Sequence, residues 1–174
     1  MTKNLVGCAK IQEKVEILGY NLLMEFVELE RKEFEGLDFA CGNFLQSAEM
    51  YQRYHDLGRE AYLVGVKNKN QEIVVAGLIL GRNWHFGKKI FRVPGGWLMN
   101  YDGADRGQIL EEITQGAREF CRERQGIMLE ISPNIVNQPR DMNNEIVQGR
   151  GYAEVKNELA LLGYKYLGEY EQAK

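Results

Sequence analysis

The sequence predicts an α/β (α+β) fold with a mixed sheet flanked by helices, and three observations carry that prediction. First, residues 61–99 hold three apolar, β-branched-rich runs in close succession: Tyr62–Val66, Ile73–Leu80 and Ile90–Leu98. The gaps between them are short and polar; Lys67–Glu72 contains Asn68 and Asn70, and Arg82–Lys89 carries Gly87. Such runs read as strands joined by antiparallel hairpins. Second, Gly65, Gly77 and Gly81 would each cost about 1 kcal/mol against alanine in a helix interior, which argues against helices here. Third, Ile109, Leu110, Ile113, Ala117, Phe120 and Cys121 lie at helical spacing and are followed by Gly126 and the apolar run Ile127–Ser132. A strand after a helix usually returns parallel to its neighbour, which makes the sheet mixed.

In chain order, Val15–Leu18 reads as a short strand. Leu22, Leu23, Phe26, Val27 and Leu29 then form a helix-like stripe, with Glu25, Glu28, Arg31 and Lys32 on the other side. Gly36 and the loop Asp38–Asn43 end it. Ser47 is placed to cap a second helix, Ala48–Leu57, whose Met50, Tyr51, Tyr54 and Leu57 are spaced to face the sheet, with Gly58 just beyond. The meander follows, and its third run stops at Val93-Pro94-Gly95-Gly96. Proline cannot donate to a strand ladder, and two glycines permit close backbone approach. That break is the first candidate for a binding groove. Asp102 and Asp105 introduce the helix that runs to about Arg124, their carboxylates placed to cap its free N–H groups. After the strand Ile127–Ser132 comes the longest loop, Pro133–Asn144. A helix over Glu154–Leu162 ends at Gly163, and Tyr164–Tyr170 reads as a last strand.

Composition bounds the function classes. A chain of 174 residues, 44% hydrophobic and 27% charged, is long enough for a single well-packed domain. A net charge of −3 gives no global attraction to nucleic acid or anionic lipid. Cys8, Cys41 and Cys121 form no CxxC pair and are odd in number, which suits free thiols in a reducing cytoplasm. With two histidines and no Cys/His cluster, no zinc site is expected. No apolar run approaches the roughly 20 residues of a membrane span, and no apolar leader core is expected in the charged first twenty residues.

The order of helices, antiparallel meander, helix, strand, helix and strand is that of the GNAT (N-acetyltransferase-like) fold. Particular residues sharpen the resemblance. Phe44-Leu45-Gln46-Ser47, with Met50 where a tryptophan is usual, is similar to the opening of the FemABX family, the Fem/MurM peptidoglycan aminoacyltransferases. The resemblance continues through Val74-Val75-Ala76-Gly77, Gly87–Phe91 and Gly96, which falls on the glycine of the family's Gly-Pro. It ends at Ile131-Ser132-Pro133, where the family often has Asp-Pro, and at Leu162-Gly163-Tyr164. Members of that family have two GNAT-like domains in a much longer chain. The resemblance therefore implies that residues 1–174 form one GNAT-like domain, the N-terminal part of a longer two-domain transferase.

What the resemblance implies about function is transfer of an amino acid from aminoacyl-tRNA to the stem-peptide amine of a nucleotide-linked (UDP-) or lipid-linked muramyl-peptide precursor. The tRNA would be held through the full-length protein, and the reaction would sit beside the cytoplasmic membrane face. No cofactor, metal or acyl-enzyme is implied. Aminolysis of an activated ester needs positioning, removal of a proton from the ammonium nucleophile and charge stabilisation. Two alternatives stand beside it: a catalytically silent domain binding a precursor or partner, and an acyl-CoA-dependent N-acetyltransferase.

The resemblance also nominates residues, each with a plainer alternative. A lysine associated with the precursor's diphosphate falls on Gln52 here, beside Arg53, whose guanidinium suits phosphate oxygens; the alternative is a solvated helix face. Gly95 and Gly96 mark the groove. Trp97, in the place of the family's proline, either walls that groove or anchors the core. Ser132 replaces an acidic residue and doubles as a strand-end turn residue. No catalytic residue is identified, and His55 and His85 have no spacing that links them to a serine. Arg82, His85, Lys88, Lys89 and Arg92 form one basic cluster, read as a charged hairpin protecting a sheet edge or as a phosphate contact.

Overall fold

In the computed structural model, which describes residues 24–37, 43–133 and 153–167, helices flank one mixed sheet. The chain order is β1 (Glu25–Glu28), α1 (Arg31–Glu35), a 3-10 turn at Phe44–Gln46, α2 (Ala48–Asp56), β2 (Glu60–Lys67) and β3 (Ile73–Asn83). A second 3-10 turn at His85–Gly87 leads into β4 (Lys89–Gly95). Then come β5 (Leu98–Met99), α3 (Arg106–Glu123), β6 (Gly126–Pro133) and α4 (Ala153–Leu161). The sheet order is β1-β2-β3-β4-β6, with β5 paired to β3. All neighbours are antiparallel except β4 and β6, which run parallel from Lys89/Gly126 to Gly95/Pro133.

The sheet is buried on both faces, which explains why its central strands read as near-continuous apolar runs. Val64, Val66, Val75, Ile79, Phe91 and Val93 pack under α3, which buries Ile109, Leu110, Ile113, Ala117, Phe120 and Cys121, and beside Val155 of α4. Leu63, Ala76, Leu78 and Leu98 face the other way, against Phe34 of α1 and Ala48 of α2. Four salt bridges or buried donors then pin the layers. Arg106 on α3 reaches Glu154 and Glu158 on α4 and the Tyr101 carbonyl. Arg124 pairs with Glu28 of β1 at 2.5 Å and lies 3.6 Å from the Phe120 ring centroid.

One predicted helix is a strand. Residues 25–28 pair with Lys67–Val64 of β2 instead of coiling. Met24 and Phe26 pack on the α3 face, and Val27 and Leu29 on the α1/α2 face. Apolar residues on both faces of a strand fall next to one another in sequence and mimic a helical stripe. Only Arg31–Glu35 is helical, closed by a capping box in which Glu30 and Glu33 bond each other's backbone N–H. Lys67 and the Glu30 N–H hold the Glu33 carboxyl below its ordinary range.

Other expectations meet mixed outcomes. The meander, α3 and the parallel return of β6 are as expected, and Ser47 caps α2 by accepting from the Met50 N–H at 3.2 Å. Leu57, expected to face the sheet, is exposed beyond the end of α2. Asp105 stands at the N-cap of α3, but its carboxylate makes no capping hydrogen bond, because its backbone is already near-helical. Of the last strand expected at Tyr164–Tyr170, residues 164–167 are not a strand and the remainder lies outside the described residues, as does the expected loop Pro133–Asn144 beyond Pro133. The region read as a strand at Val15–Leu18, and Cys8 and Cys41, lie outside the described residues. The basic residues of the β3–β4 hairpin do not protect an edge, since β4 is covered by β6; Lys89 pairs with Glu60 and Arg92 with Glu130.

The close fit of β1 against α3 supplies a test. A Cβ at Gly116 would lie 2.5 Å from the Phe26 Cβ and closer still to its ring. Alanine there gains about 1 kcal/mol of helix propensity, but overpacking costs about 1–3 kcal/mol. Gly116→Ala is expected to lower the denaturation midpoint, and to cost less in a Phe26→Ala background than in the native one, because the clash is then absent.

Candidate functional site

The candidate site is where β4 leaves β3. The β3–β4 ladder runs from Asn83/Lys89 to Leu80/Arg92, and pairing to β3 resumes at Ala76/Leu98. Five residues, 93–97, therefore stand opposite three, 77–79. Pro94 has no N–H to continue the ladder. Beyond Arg92 the chain instead follows β6, pairing Val93, Pro94 and Gly95 with Ile131, Ser132 and Pro133. This divergence leaves a gap in the sheet beside Leu78.

Gln46 fills that gap. Its side chain is fully buried, and its amide oxygen accepts the Leu78 N–H at 2.5 Å. Its amide nitrogen donates to the Leu78 carbonyl at 3.3 Å and to the Pro94 carbonyl at 2.5 Å. The three partners dictate which end of the amide is which, since an N–H needs an acceptor and carbonyls need donors. One side-chain amide thus does the work of a missing peptide unit between two strands. Asn43, three residues earlier, donates to the Gly95 carbonyl at 3.2 Å. The Phe44–Gln46 turn is fastened to the end of β4 at both of its ends, leaving Phe44 and Leu45 exposed beside it.

The glycines serve this junction. Gly95 and Gly96 both have positive φ, 78° and 74°, a conformation glycine adopts at no steric cost. A Cβ on Gly96 would lie 2.6 Å from the Pro133 Cα, and one on Gly95 would meet the Asn43 amide at 2.7 Å. The turn closes with the Gly96 N–H on the Val93 carbonyl at 3.2 Å. The close approach they permit is to the protein's own chain, at the carboxyl ends of two parallel strands. Crevices outside the carboxyl ends of parallel strands are where α/β sheets bind ligands.

The structure brings Gly95, Gly96 and Ser132 together, with Ser132 opposite Pro94 and half-buried. Trp97 is 2% exposed, and its indole lies over Gly77, where a Cβ would come within 2.6 Å of Cε3. It anchors the core beneath the turn and does not wall an open groove. Gln52 and Arg53 sit apart, on α2. Gln52 accepts from Arg31 of α1 at 2.8 Å and donates to Asp56 at 2.7 Å, so its amide is committed to the α1–α2 contact. Arg53 is exposed and, among the described residues, its guanidinium has no ion pair or hydrogen bond.

Gly95 and Gly96 are themselves buried, with the Gly95 carbonyl held by Asn43 and the Gly96 N–H by Val93. The half-buried Asn43, Ser132 and Pro133 at the edge of this turn carry neutral polar groups, suited to orienting a ligand and not to acid–base chemistry. Among the described residues no group of His, Cys, Asp and Glu could hold a metal ion. Cys121 is no nucleophile: burial pushes its thiol up to about 12, so it stays protonated near neutrality. Among the same residues no helix is long and apolar enough to cross a membrane. Sequence reasoning singled out the segment holding Gln46 but not what Gln46 does. A lone glutamine amid apolar and turn residues was the available signal.

Comparison with known proteins adds a family. Aminoacyltransferase FemA of Staphylococcus epidermidis is 24% identical over 155 residues, covering 83% of this chain and 34% of that protein. FemA of Staphylococcus aureus is likewise 24% identical over 155 residues. The chain thus spans about a third of the length of these relatives. A crystal structure of FemX superposes with a TM-score of 0.63 at 15% identity, over 83% of this chain and 33% of that one. The aminoglycoside antibiotic 6'-N-acetyltransferase AAC(6')-Ih from Acinetobacter baumannii superposes at 0.52 with 9% identity, over 87% and 97%. At such identities the superpositions establish the shared GNAT-like fold. The FemAB family model matches residues 28–174, most of the chain, and the chain belongs to the FemAB family.

Proposed function

We propose that this chain is the first GNAT-like domain of an aminoacyltransferase that moves an amino acid from aminoacyl-tRNA to the stem-peptide amine of a peptidoglycan precursor, on the cytoplasmic side of the membrane. The observation that carries the reading is the similarity to proteins named Aminoacyltransferase FemA along 83% of the chain. In this reading the substrate's sugar or peptide lies at the edge of the Gly95-Gly96 turn, at the carboxyl ends of β4 and β6. The Gln46 and Asn43 tethers hold the Gly95-Gly96 turn in one conformation, and the neutral groups there suit a sugar or peptide.

Arg53 is, in this reading, the residue that meets the precursor's phosphates, since among the described residues its guanidinium has no ion pair or hydrogen bond while nearby Arg31 is held by Glu35 and Gln52. Gln52, engaged with Arg31 and Asp56, acts in this reading as a support for the helix that presents Arg53. Trp97 supports the turn from below, and Ser132, half-buried opposite Pro94, is in this reading a contact for the substrate. A hydrogen bond to a charged group contributes about 1.5–3 kcal/mol. Arg53→Ala is therefore expected to weaken binding of the UDP-linked muramyl peptide about tenfold or more, measured by calorimetry. Unchanged affinity would assign Arg53 to the solvated face of α2.

A further inference from the structure

We propose that the tip of the β3–β4 hairpin, Trp84–Lys88, docks the protein on an anionic lipid bilayer. The tip exposes aromatic surface where a soluble hairpin has no need of it. Phe86 is 100% exposed and Trp84 47% exposed, and Ile127 and Met128 lie exposed at the start of β6, beside the base of the hairpin at Lys89 and Ile90. The Lys89 N–H bonds the Gln125 carbonyl at 3.1 Å, which places the α3–β6 turn against the hairpin base.

The backbone adds a second observation. Phe86 has φ 56° and ψ 36°, the left-handed conformation that glycine adopts most easily and bulky residues rarely do. A ring so exposed, in tilted contact with the His85 ring at 6.5 Å, gains little from the protein's own packing to offset that cost. The side chain is better explained by a surface outside the protein. Trp84 and Phe86 are the kind of rings that settle at the boundary of headgroups and acyl chains.

Charge identifies the surface. The chain as a whole carries −3, yet Arg82–Lys89 contains three cations and no acid. Lys89 is spent on Glu60, but among the described residues Arg82 and Lys88 have no ion pair. Arg82 lies over the Trp84 ring at 5.4 Å, and Lys88 follows Gly87 directly. Two free cations flanking two exposed rings fit lipid phosphates above an apolar layer. They are too few to track a nucleic-acid backbone, and aliphatic Ile127 and Met128 offer bases no stacking face. The tip lies at the amino end of β4 and the Gly95-Gly96 turn at its carboxyl end. Seven residues at about 3.3 Å each separate them by roughly 20 Å. The inference is independent of the transferase reading, since it concerns adhesion and not group transfer.

The test is co-sedimentation of the full chain with phosphatidylglycerol vesicles and with phosphatidylcholine vesicles. The chain is expected to sediment with the anionic vesicles, less so in high salt. Tryptophan emission reports insertion directly, because Trp97 is buried and Trp84 is the other tryptophan; a blue shift is expected on binding. Phe86→Gly relieves the backbone and should leave the melting temperature unchanged or higher while weakening vesicle binding about tenfold or more. The double variant Arg82→Ala, Lys88→Ala should lose the preference for phosphatidylglycerol. Failure of the native chain to bind, full binding by Phe86→Gly, or hairpin variants that weaken retention of tRNA and not of vesicles would each overturn the proposal.

Discussion

Replacing Gln46 with leucine is expected to destabilise the chain by about 3–5 kcal/mol, although leucine is apolar, similar in size and placed in a buried site. The Leu78 N–H, the Leu78 carbonyl and the Pro94 carbonyl would all lose their partner. A buried group left unsatisfied costs about 1–3 kcal/mol, while the transfer gain of a leucine side chain offsets only part of three such losses. Gln46→Glu is no rescue, because a carboxylate keeps the acceptor for Leu78 and loses both donations. Asn43→Ala removes a single bond to Gly95 in a half-buried place and should cost about 1 kcal/mol. The comparison is read from urea midpoints at constant slope. Equal effects for Gln46→Leu and Asn43→Ala would deny Gln46 its bridging role.

Gly96→Ala is the second large effect, expected at about 2–5 kcal/mol. Left-handed backbone costs an L-residue about 1–2 kcal/mol, and the new Cβ would press on the Pro133 Cα at 2.6 Å, forcing β4 and β6 apart. Gly95→Ala shares the positive φ, but its Cβ meets the end of the rotatable Asn43 side chain and not backbone, so the clash is relieved by giving up the Asn43–Gly95 hydrogen bond. It should therefore be the milder of the two, and the same unfolding series ranks them. Because the clash in Gly96→Ala lies at the turn proposed to border the substrate, precursor affinity should fall with it even where the variant remains folded.

The legibility of the fold follows from which residues depend on near neighbours. The hairpins of the meander and the apolar face of α3 follow from local periodicity, and both were readable from the chain. The strand Glu25–Glu28 was not, since Phe26 and Val27 reach opposite faces of the sheet and only tertiary packing separates them. At the site, Pro94-Gly95-Gly96 announced a break through backbone chemistry alone. What crosses the break could not be read, because Gln46 meets Leu78 and Pro94 at separations of 32 and 48 residues. Trp97 left two readings open until its contact with Gly77 decided between them. The basic residues of the hairpin looked like one cluster, yet Glu60 and Glu130, distant in sequence, neutralise Lys89 and Arg92.

The same geometry bears on the choice between an aminoacyl and an acetyl-CoA enzyme. Pyrophosphate binding at a helix N-terminus needs a glycine loop that runs straight into the helix. Here Arg92 is held by Glu130, and the Gly95-Gly96 turn leads into β5, with α3 beginning only at Arg106. Calorimetric titration of the purified chain with UDP-linked muramyl peptide and, separately, with acetyl-CoA tests the central claim most directly. Saturable binding of the muramyl peptide, with no saturable binding of acetyl-CoA up to millimolar concentration, is the predicted result. Micromolar binding of acetyl-CoA, without binding of the muramyl peptide, would contradict it.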